Sequence, residues 1–352
     1  MFGRKSQPVV GIDISSTSVK VLELSSAGSN YRVEAYGIEP LPPNAVTEKN
    51  ITDVDAVGET IRKAMRRSGT KNKRCALAVA GSAVITKVIT MPAALNDEEM
   101  ESQIQLEADQ YIPYSLEEVN LDFDVLGTTD SNPDTVDVLL AASRSENVEI
   151  RVAAAQTAGL TPEIVDIEAY AVENALQLLV SQIPGGGEGQ TIAVFDIGAT
   201  MTSLDVMSDH RLVYTREQPF GGKQLTEEIM RRYGLSYEEA GLHKKEGGLP
   251  ENYVPDVLEP FKETIAQQVN RFLQFFYSAS QNSTVDHIIL AGGSAATPGI
   301  DELIETKLQT DTSIANPFAN MKKPARGVNQ HQLYGNAPSL LIATGLALRS
   351  FN

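Results

Sequence analysis

The feature that most narrows the fold is an internal repeat. Residues 9–24, VVGIDISSTSVKVLEL, read as strand, tight polar turn and strand, and residues 191–206, TIAVFDIGATMTSLDV, read the same way. Asp13 and Asp196 stand 183 positions apart. At that offset Asp13-Ile14 matches Asp196-Ile197, Thr17 matches Thr200 and Ser25 matches Ser208. Both turns are rich in small residues. A chain of 352 residues that restarts the same motif midway is predicted to fold as two related α/β halves.

The segments between the copies read as follows. Tyr31 to Ile38 is a third apolar segment, broken by Pro40, Pro42 and Pro43. Val54, Val57, Ile61 and Met65 recur at helical steps over 53–68, with Arg66 and Arg67 in the last turn and Gly69 placed as a cap. Strands are predicted at 75–80 and 84–90. Asn96 then opens a helix with Glu99 as its capping-box partner, and Met100, Ile104, Ala108 and Tyr111 share one face. Strands at 123–126 and 136–141 flank a polar turn at 128–134, and a helix over 146–157 ends at Gly159. Residues 84–165 therefore read as a small α+β insertion. Glu168–Leu179 is helical, and 184–189 is a flexible turn. Helices follow the second copy over 222–233, 237–245 and 257–281, the last carrying a buried stripe that includes Phe261, Ile265, Phe272 and Phe276. A strand over 286–290 runs into Ala291-Gly292-Gly293-Ser294-Ala295, Pro298 opens a helix as an N1 residue, and 338–348 is the final helix.

Charge and cysteine content exclude several functions. With 29 Lys+Arg against 46 Asp+Glu the net charge is −17, which repels nucleic-acid phosphates and disfavours broad attachment to anionic lipid. A single cysteine, Cys75, forbids an intrachain disulfide and, within an apolar run, reads as a buried strand residue. Four scattered histidines argue against a zinc site. No run of about 18 apolar residues and no signal-peptide core is present, so the expected location is the cytoplasm.

The two turns suggest a chemistry. A hairpin turn of Gly, Ala, Ser and Thr aims backbone N–H groups at an anion without a basic surface. The hydroxyls of Ser16, Thr17 and Thr202 add donors, and Lys20 either points at the phosphates or lies on the solvent face of its strand. An aspartate beside a phosphate makes sense when Mg or its water shell lies between them, a role open to Asp13 and Asp196. The glycine pair after strand 286–290 lets a ring or sugar approach the backbone.

These three segments resemble the two phosphate loops and the adenosine loop of the actin/Hsp70/FtsA superfamily, and within it the PilM family of type IV pilus assembly. The PilM likeness extends to Gly11–Lys20, Tyr31–Tyr36, Pro40-Leu41-Pro42-Pro43, Phe220–Thr226 and Asn336–Leu340. The resemblance implies a two-lobed actin-like α/β fold, a duplicated ribonuclease H-like core with an FtsA-type insertion in the first lobe. The implied divisions are 1–83, first-lobe core; 84–165, insertion; 166–190, first-lobe core and inter-lobe helix; 191–335, second lobe with an outer helical part at 221–282; and 336–352, a helix returning to the first lobe. FtsA usually carries a membrane-binding helix after a linker; none follows the last helix here, which favours PilM.

The resemblance also implies ATP and Mg between the lobes. By position, Asp13, Ser15, Ser16, Thr17 and Lys20 would form the first phosphate site, and Asp196, Gly198, Ala199, Thr200 and Thr202 the second. Gly292, Gly293 and Ser294 would approach the adenosine, Gly222 and Lys223 would border the pocket, and Lys244 would reach the nucleoside. Glu168 matches a catalytic acid beside the hydrolytic water, or it is a carboxylate favoured by a helix N-terminus. Relatives often have a Gly-Gly-Gly-Thr second loop, a glutamate where Gly241 stands and a proline where Ala169 stands. These departures imply binding with at most slow hydrolysis.

The implied partner is the short N-terminal cytoplasmic tail of PilN, an inner-membrane protein. An extended tail would lie in a groove between the first-lobe core and the insertion, with the helix after Asn96 and strand 84–90 as candidates for its wall. The chain would then sit at the inner face of the membrane through its partner, linking the platform to the pilus motor. Lobe closure on ATP is the implied mechanism. The rival readings are an FtsA-like filament protein of cell division, a small-molecule kinase or phosphatase, and a type II secretion scaffold.

Overall fold

The computed structural model describes residues 8–28, 30–129, 132–280 and 284–351. The two copies of the repeat become the same sheet. In the first lobe Val10–Ile14 pairs antiparallel with Ser18–Ala27, which pairs antiparallel with Asn30–Pro40. On its other side Val10–Ile14 runs parallel to Arg74–Val79, and that strand parallel to Thr161–Ile167. The second lobe repeats this order with Thr191–Ile197, Thr202–Ser208, Arg211–Gln218, then His287–Ala291 and Asp311–Ile314. Register is shared as well: Asp13 faces Lys20 across its hairpin, and Asp196 faces Ser203.

Both sheets are covered on both faces, which is why their central strands are nearly continuous Val, Ile, Leu and Phe. On one face of the first sheet lie helices Val54–Ser68 and Ser145–Thr157. The first is capped by the Asp53 side chain, which accepts from the Ala56 N–H, and ends at Gly69 in the left-handed conformation. Helix Glu259–Ala279, with Phe272 and Phe276 fully buried, backs the second sheet. Between the lobes run helices Glu168–Leu179 and Leu341–Leu348, whose Val172, Leu176, Leu341 and Leu346 share one core with Val194, Met207 and Ile289 of the second sheet. The two helices cross in backbone contact, because a Cβ on Gly345 would lie 1.7 Å from the Ala171 carbonyl oxygen.

The insertion is a three-stranded sheet in the order Val84–Pro92, Asn132–Arg144, Val119–Thr129, with helix Asp97–Glu107 packed on it through Met100 and Ile104. The expected capping box of Asn96 and Glu99 is present. Two domain boundaries move. The insertion closes at Arg144 and not at 165, because Ser145–Thr157 and Thr161–Ile167 pack and pair with the first-lobe sheet. The return to the first lobe begins near Phe318 and not at 336: Phe318 and Leu333 pack on Leu22, Leu24 and Val33, and the Lys322 and Ala325 N–H groups donate to the Tyr31 and Val33 carbonyls.

Smaller corrections have local causes. Pro298 precedes the helix Ile300–Leu308, whose N-cap is Gly299. The final helix starts at Leu341, after a 3₁₀ turn at Ala337–Leu340. The Gly-rich segment is a turn, as expected, with Gly185, Gly186 and Gly187 all at positive φ. The helix end expected at Gln281, the turn centre Asp130-Ser131 and residues 1–7 lie outside the described residues. Among the described residues no helix is long and apolar enough to cross a membrane.

Candidate nucleotide site between the lobes

The shared sheet order brings both hairpin turns to the cleft between the lobes. Lys20, on the strand opposite Asp13, turns into this cleft, and its Nζ lies 2.7 Å from Asp13 Oδ2. Burial pulls the Lys20 ammonium down, but Asp13, then Asp196 and Glu168, outweigh it and hold its pKa above the ordinary value. Asp196 is pushed up by burial, against the pull of Lys20 and then Lys49. First-lobe cations thus act on a second-lobe carboxylate.

Each turn spends some donors on itself. The Ser15 N–H and hydroxyl both donate to the Ser18 carbonyl, at 3.0 and 2.9 Å, so Ser15 closes its turn. Thr202, buried, donates its hydroxyl to the Phe220 carbonyl at 3.0 Å. Gly198 is held as an acceptor by the Gly222 N–H at 3.0 Å and the Ser294 hydroxyl at 3.1 Å, while the Lys223 N–H donates to Ala199 at 2.8 Å. The Lys223 side chain runs along its helix to Glu227 at 3.7 Å. Ser16 and Thr17 line the half-buried tip of the first turn. Thr200 differs from its neighbours: its Oγ1 is buried and finds no partner among the described residues. A buried hydroxyl without a partner marks a place where a ligand is expected to supply one.

The third segment closes the far end. Gly292 has φ +85°, and a Cβ there would meet Asp196 Oδ1 at 2.4 Å. Gly293 beside it faces open space. Lys244 reaches the Thr226 hydroxyl at 2.8 Å and the Gly222 carbonyl at 3.2 Å, and burial, with Lys245 nearby, lowers its pKa to about 8. The residues therefore fit a nucleotide: two small-residue turns with a free hydroxyl and a lysine at one end, an open glycine shelf and a polar lysine at the other. Asp13, paired with Lys20, and Asp196 are the carboxylates that would hold the water shell of a Mg ion if one entered with the phosphates. Among the described residues no group of three or more His, Cys, Asp or Glu is arranged to hold a metal by itself.

Glu168 is the first residue of the inter-lobe helix, as expected, but its carboxylate is engaged. Its Oε2 accepts from Lys49 Nζ at 2.5 Å, and burial raises its pKa against that cation. Lys49 also reaches Glu217 Oε1 of the second lobe at 3.0 Å. Behind them the buried Asp205 accepts from the Thr215 hydroxyl at 2.7 Å, and burial raises its pKa to about 7. Lys49, Glu217 and Asp205 are absent from the sequence-derived site. The only signal for them was at Asp205, a charged residue between Leu204 and Val206 of its strand.

Cys75 is fully buried, as expected, and burial pushes its thiol up to about 12. A groove of about 600 Å³ lies within the insertion, between Ile104 of helix Asp97–Glu107 and Leu121 and Phe123 of edge strand Val119–Thr129. Strand Val84–Pro92 stands at the opposite edge and does not line it. Leu106, 81% exposed, and Leu126, 52% exposed, flank the same helix and strand.

The comparisons agree with this architecture. A solved structure described as a PilM-PilN type IV pilus biogenesis complex matches with a TM-score of 0.80 at 27% identity, covering 99% of each chain. The crystal structure of ethanolamine utilization protein EutJ from Carboxydothermus hydrogenoformans matches at TM-score 0.58 and 16% identity over 97% of this chain and 89% of its own, a likeness of fold alone. Cell division protein FtsA of Bacillus subtilis (strain 168) is 23% identical over 352 residues, 88% of this chain and 78% of its own length. The model of the type IV pilus assembly protein PilM family matches residues 11–351. On that near-complete match, this chain belongs to the PilM family of type IV pilus assembly proteins.

Proposed function

We propose that this chain is a nucleotide-binding assembly protein of the type IV pilus machinery that holds the N-terminal cytoplasmic tail of PilN. The observation that carries the nucleotide half is the pair of hairpin turns meeting across the cleft, with Lys20 between Asp13 and Asp196 and the Thr200 hydroxyl unpartnered. The backbone N–H groups at Ser16, Thr17, Ala199 and Thr200 would face the phosphates, and Lys20 would balance their charge. Asp13 and Asp196 would hold the water shell of a Mg ion, which would supply charge neutralisation there. Gly293 would leave room for the nucleoside, with Lys244 at its edge, while Gly292 lets its chain pass close against Asp196 and Ile197.

The partner half is supported by the likeness to the chain solved in the PilM-PilN complex. In this chain the insertion offers an edge strand with a groove beside it, where Ile104, Leu121 and Phe123 stand among Glu101, Glu117 and Asp122, a geometry that suits an extended peptide. A tail bound there would keep an acidic protein at the membrane without a lipid anchor. Glu168 is already paired with Lys49, so nucleotide is proposed to act by being bound, with slow hydrolysis at most. Because the phosphates would touch both lobes only when these are together, binding would favour closure.

Calorimetry with Mg-ATP on the wild type and on Thr200→Val tests the nucleotide half. The expected result is binding by the wild type and about tenfold weaker binding by the variant, the worth of one charge-assisted hydrogen bond. Nucleotide-free Thr200→Val should be as stable as the wild type or more so, because it removes a buried polar atom that has no partner. Absence of Mg-ATP binding by the wild type would refute this half.

A further inference from the structure

Lys49 sits at the tip of a two-residue hairpin between Val46–Thr47 and Asn50–Ile51, where Glu48 and Lys49 both have positive φ, 48° and 65°. Neither is glycine, so the turn holds a conformation that L-residues adopt at a cost. The buried Arg151 fixes this tip. Its Nη2 donates to the Lys49 carbonyl at 2.9 Å, while Nε donates to Ala78 at 2.7 Å and Nη1 to Asn147 at 2.9 Å. The Lys49 ammonium is thereby delivered into the cleft, only 16% exposed, between Glu168 of the first lobe and Glu217 of the second. Asp196, which ends the first strand of the second hairpin, also acts on it.

Two carboxylates, Glu168 and Glu217, share this one ammonium, and the buried Asp205 lies within its electrostatic reach. Glu217 also lies against the turn Gly81–Ala83 at the junction with the insertion, where a Cβ on Gly81 would stand 3.6 Å from its Oε1. Of the two bonds Lys49 makes, the one to Glu217 at 3.0 Å is the longer and is the one that crosses between lobes. A polyphosphate held by the two turns would bring further anionic oxygens to this ammonium, in competition with Glu217.

We propose that Lys49 is the residue that distinguishes a nucleoside triphosphate from a diphosphate in this cleft, exchanging its second-lobe partner Glu217 for the terminal phosphate while Glu168 keeps it in place. This inference rests on the nucleotide reading above. It assigns Lys49 as a specificity residue and Glu217 as its competitor. The exchange would also be felt at the junction with the insertion, because Glu217 lies against the turn Gly81–Ala83.

Competing roles predict opposite signs, which makes the test sharp. Affinities for Mg-ATP and Mg-ADP are measured by calorimetry on the wild type, Lys49→Met, Lys49→Arg and Glu217→Gln. The wild type is expected to prefer ATP. Lys49→Met should lose about tenfold or more of that preference through weaker ATP binding, with ADP affinity nearly unchanged. Glu217→Gln should raise the preference, because it frees the ammonium, and Lys49→Arg should retain most of it. A purely structural ion pair would shift both nucleotides alike. An unchanged ATP-to-ADP ratio in Lys49→Met overturns the inference. Should Lys49→Met not fold, an unchanged or lowered ratio in Glu217→Gln overturns it. A wild type that binds neither nucleotide refutes the nucleotide reading itself, and a wild type that binds both without preference refutes this assignment alone.

Discussion

At the scale of single residues, the cleft is defined by carboxylates that burial drives toward neutrality and by two lysines that hold some of them charged. Asp205 has no such lysine in direct contact, only the Thr215 hydroxyl, and its pKa of about 7 lies above the ordinary 3.8. The native state therefore keeps a proton that the unfolded chain gives up between about pH 4 and pH 7. That contribution to stability is whole below the unfolded pKa and is lost as pH rises through about 7. Asp205→Asn, which keeps the shape and the acceptor, should remove it. Denaturant titrations should show the wild type losing about 2 to 3 kcal/mol relative to the variant between about pH 5 and pH 8. Parallel curves at all pH values would show that Asp205 stays ionised in the native protein. Residues at this scale were only partly legible in the sequence. Asp13 and Asp196 announced themselves by recurring in a repeat. Lys49 did not: its Glu-Lys turn lacks the Asn-Gly signature of a tight hairpin, and its partners lie 119 and 168 residues away.

At the scale of elements, the two helices between the lobes decide how the halves meet. Leu341–Leu348 is buried along its whole length, and its Gly345 lies against the Ala171 backbone of Glu168–Leu179. Gly345→Ala would force these backbones apart, and the added methyl has no flexible side chain to displace. It should cost about 3 kcal/mol or more in urea unfolding. Gly335→Ala, with nothing near its added Cβ, should be neutral or slightly stabilising. Equal stabilities for the two variants would show that the helix crossing is looser than the structure has it. Strands and helices with clear periodicity were readable in the sequence, Glu168–Leu179 to the residue. The errors fell where tertiary partners decide. Ser145–Thr157 and Thr161–Ile167 look local to the insertion in sequence, yet the open edge of Arg74–Val79 recruits them to the lobe sheet. Likewise the stretch around Phe318 carries no periodic pattern, and only its packing on Leu22 and Val33 assigns it to the first lobe.

At the scale of the molecule, a duplicated fold places one phosphate-type turn in each lobe, so a ligand that satisfies both reports on the distance between them. The insertion meets this cleft at the turn Gly81–Ala83, which lies against Glu217, and its edge strand lies beside a groove lined by both apolar and acidic side chains. Through these contacts the occupant of the cleft is proposed to alter the grip on a peptide. The two-lobed plan followed from the repeat alone, but the groove did not, since it depends on which edge of the small sheet faces helix Asp97–Glu107. The most direct measurement is titration calorimetry of this chain with a synthetic PilN N-terminal tail, with and without Mg-ATP. The account predicts micromolar or tighter binding, with a dissociation constant that changes when Mg-ATP is present. No binding in either condition would contradict the partner assignment, and binding of equal strength in both would contradict the coupling.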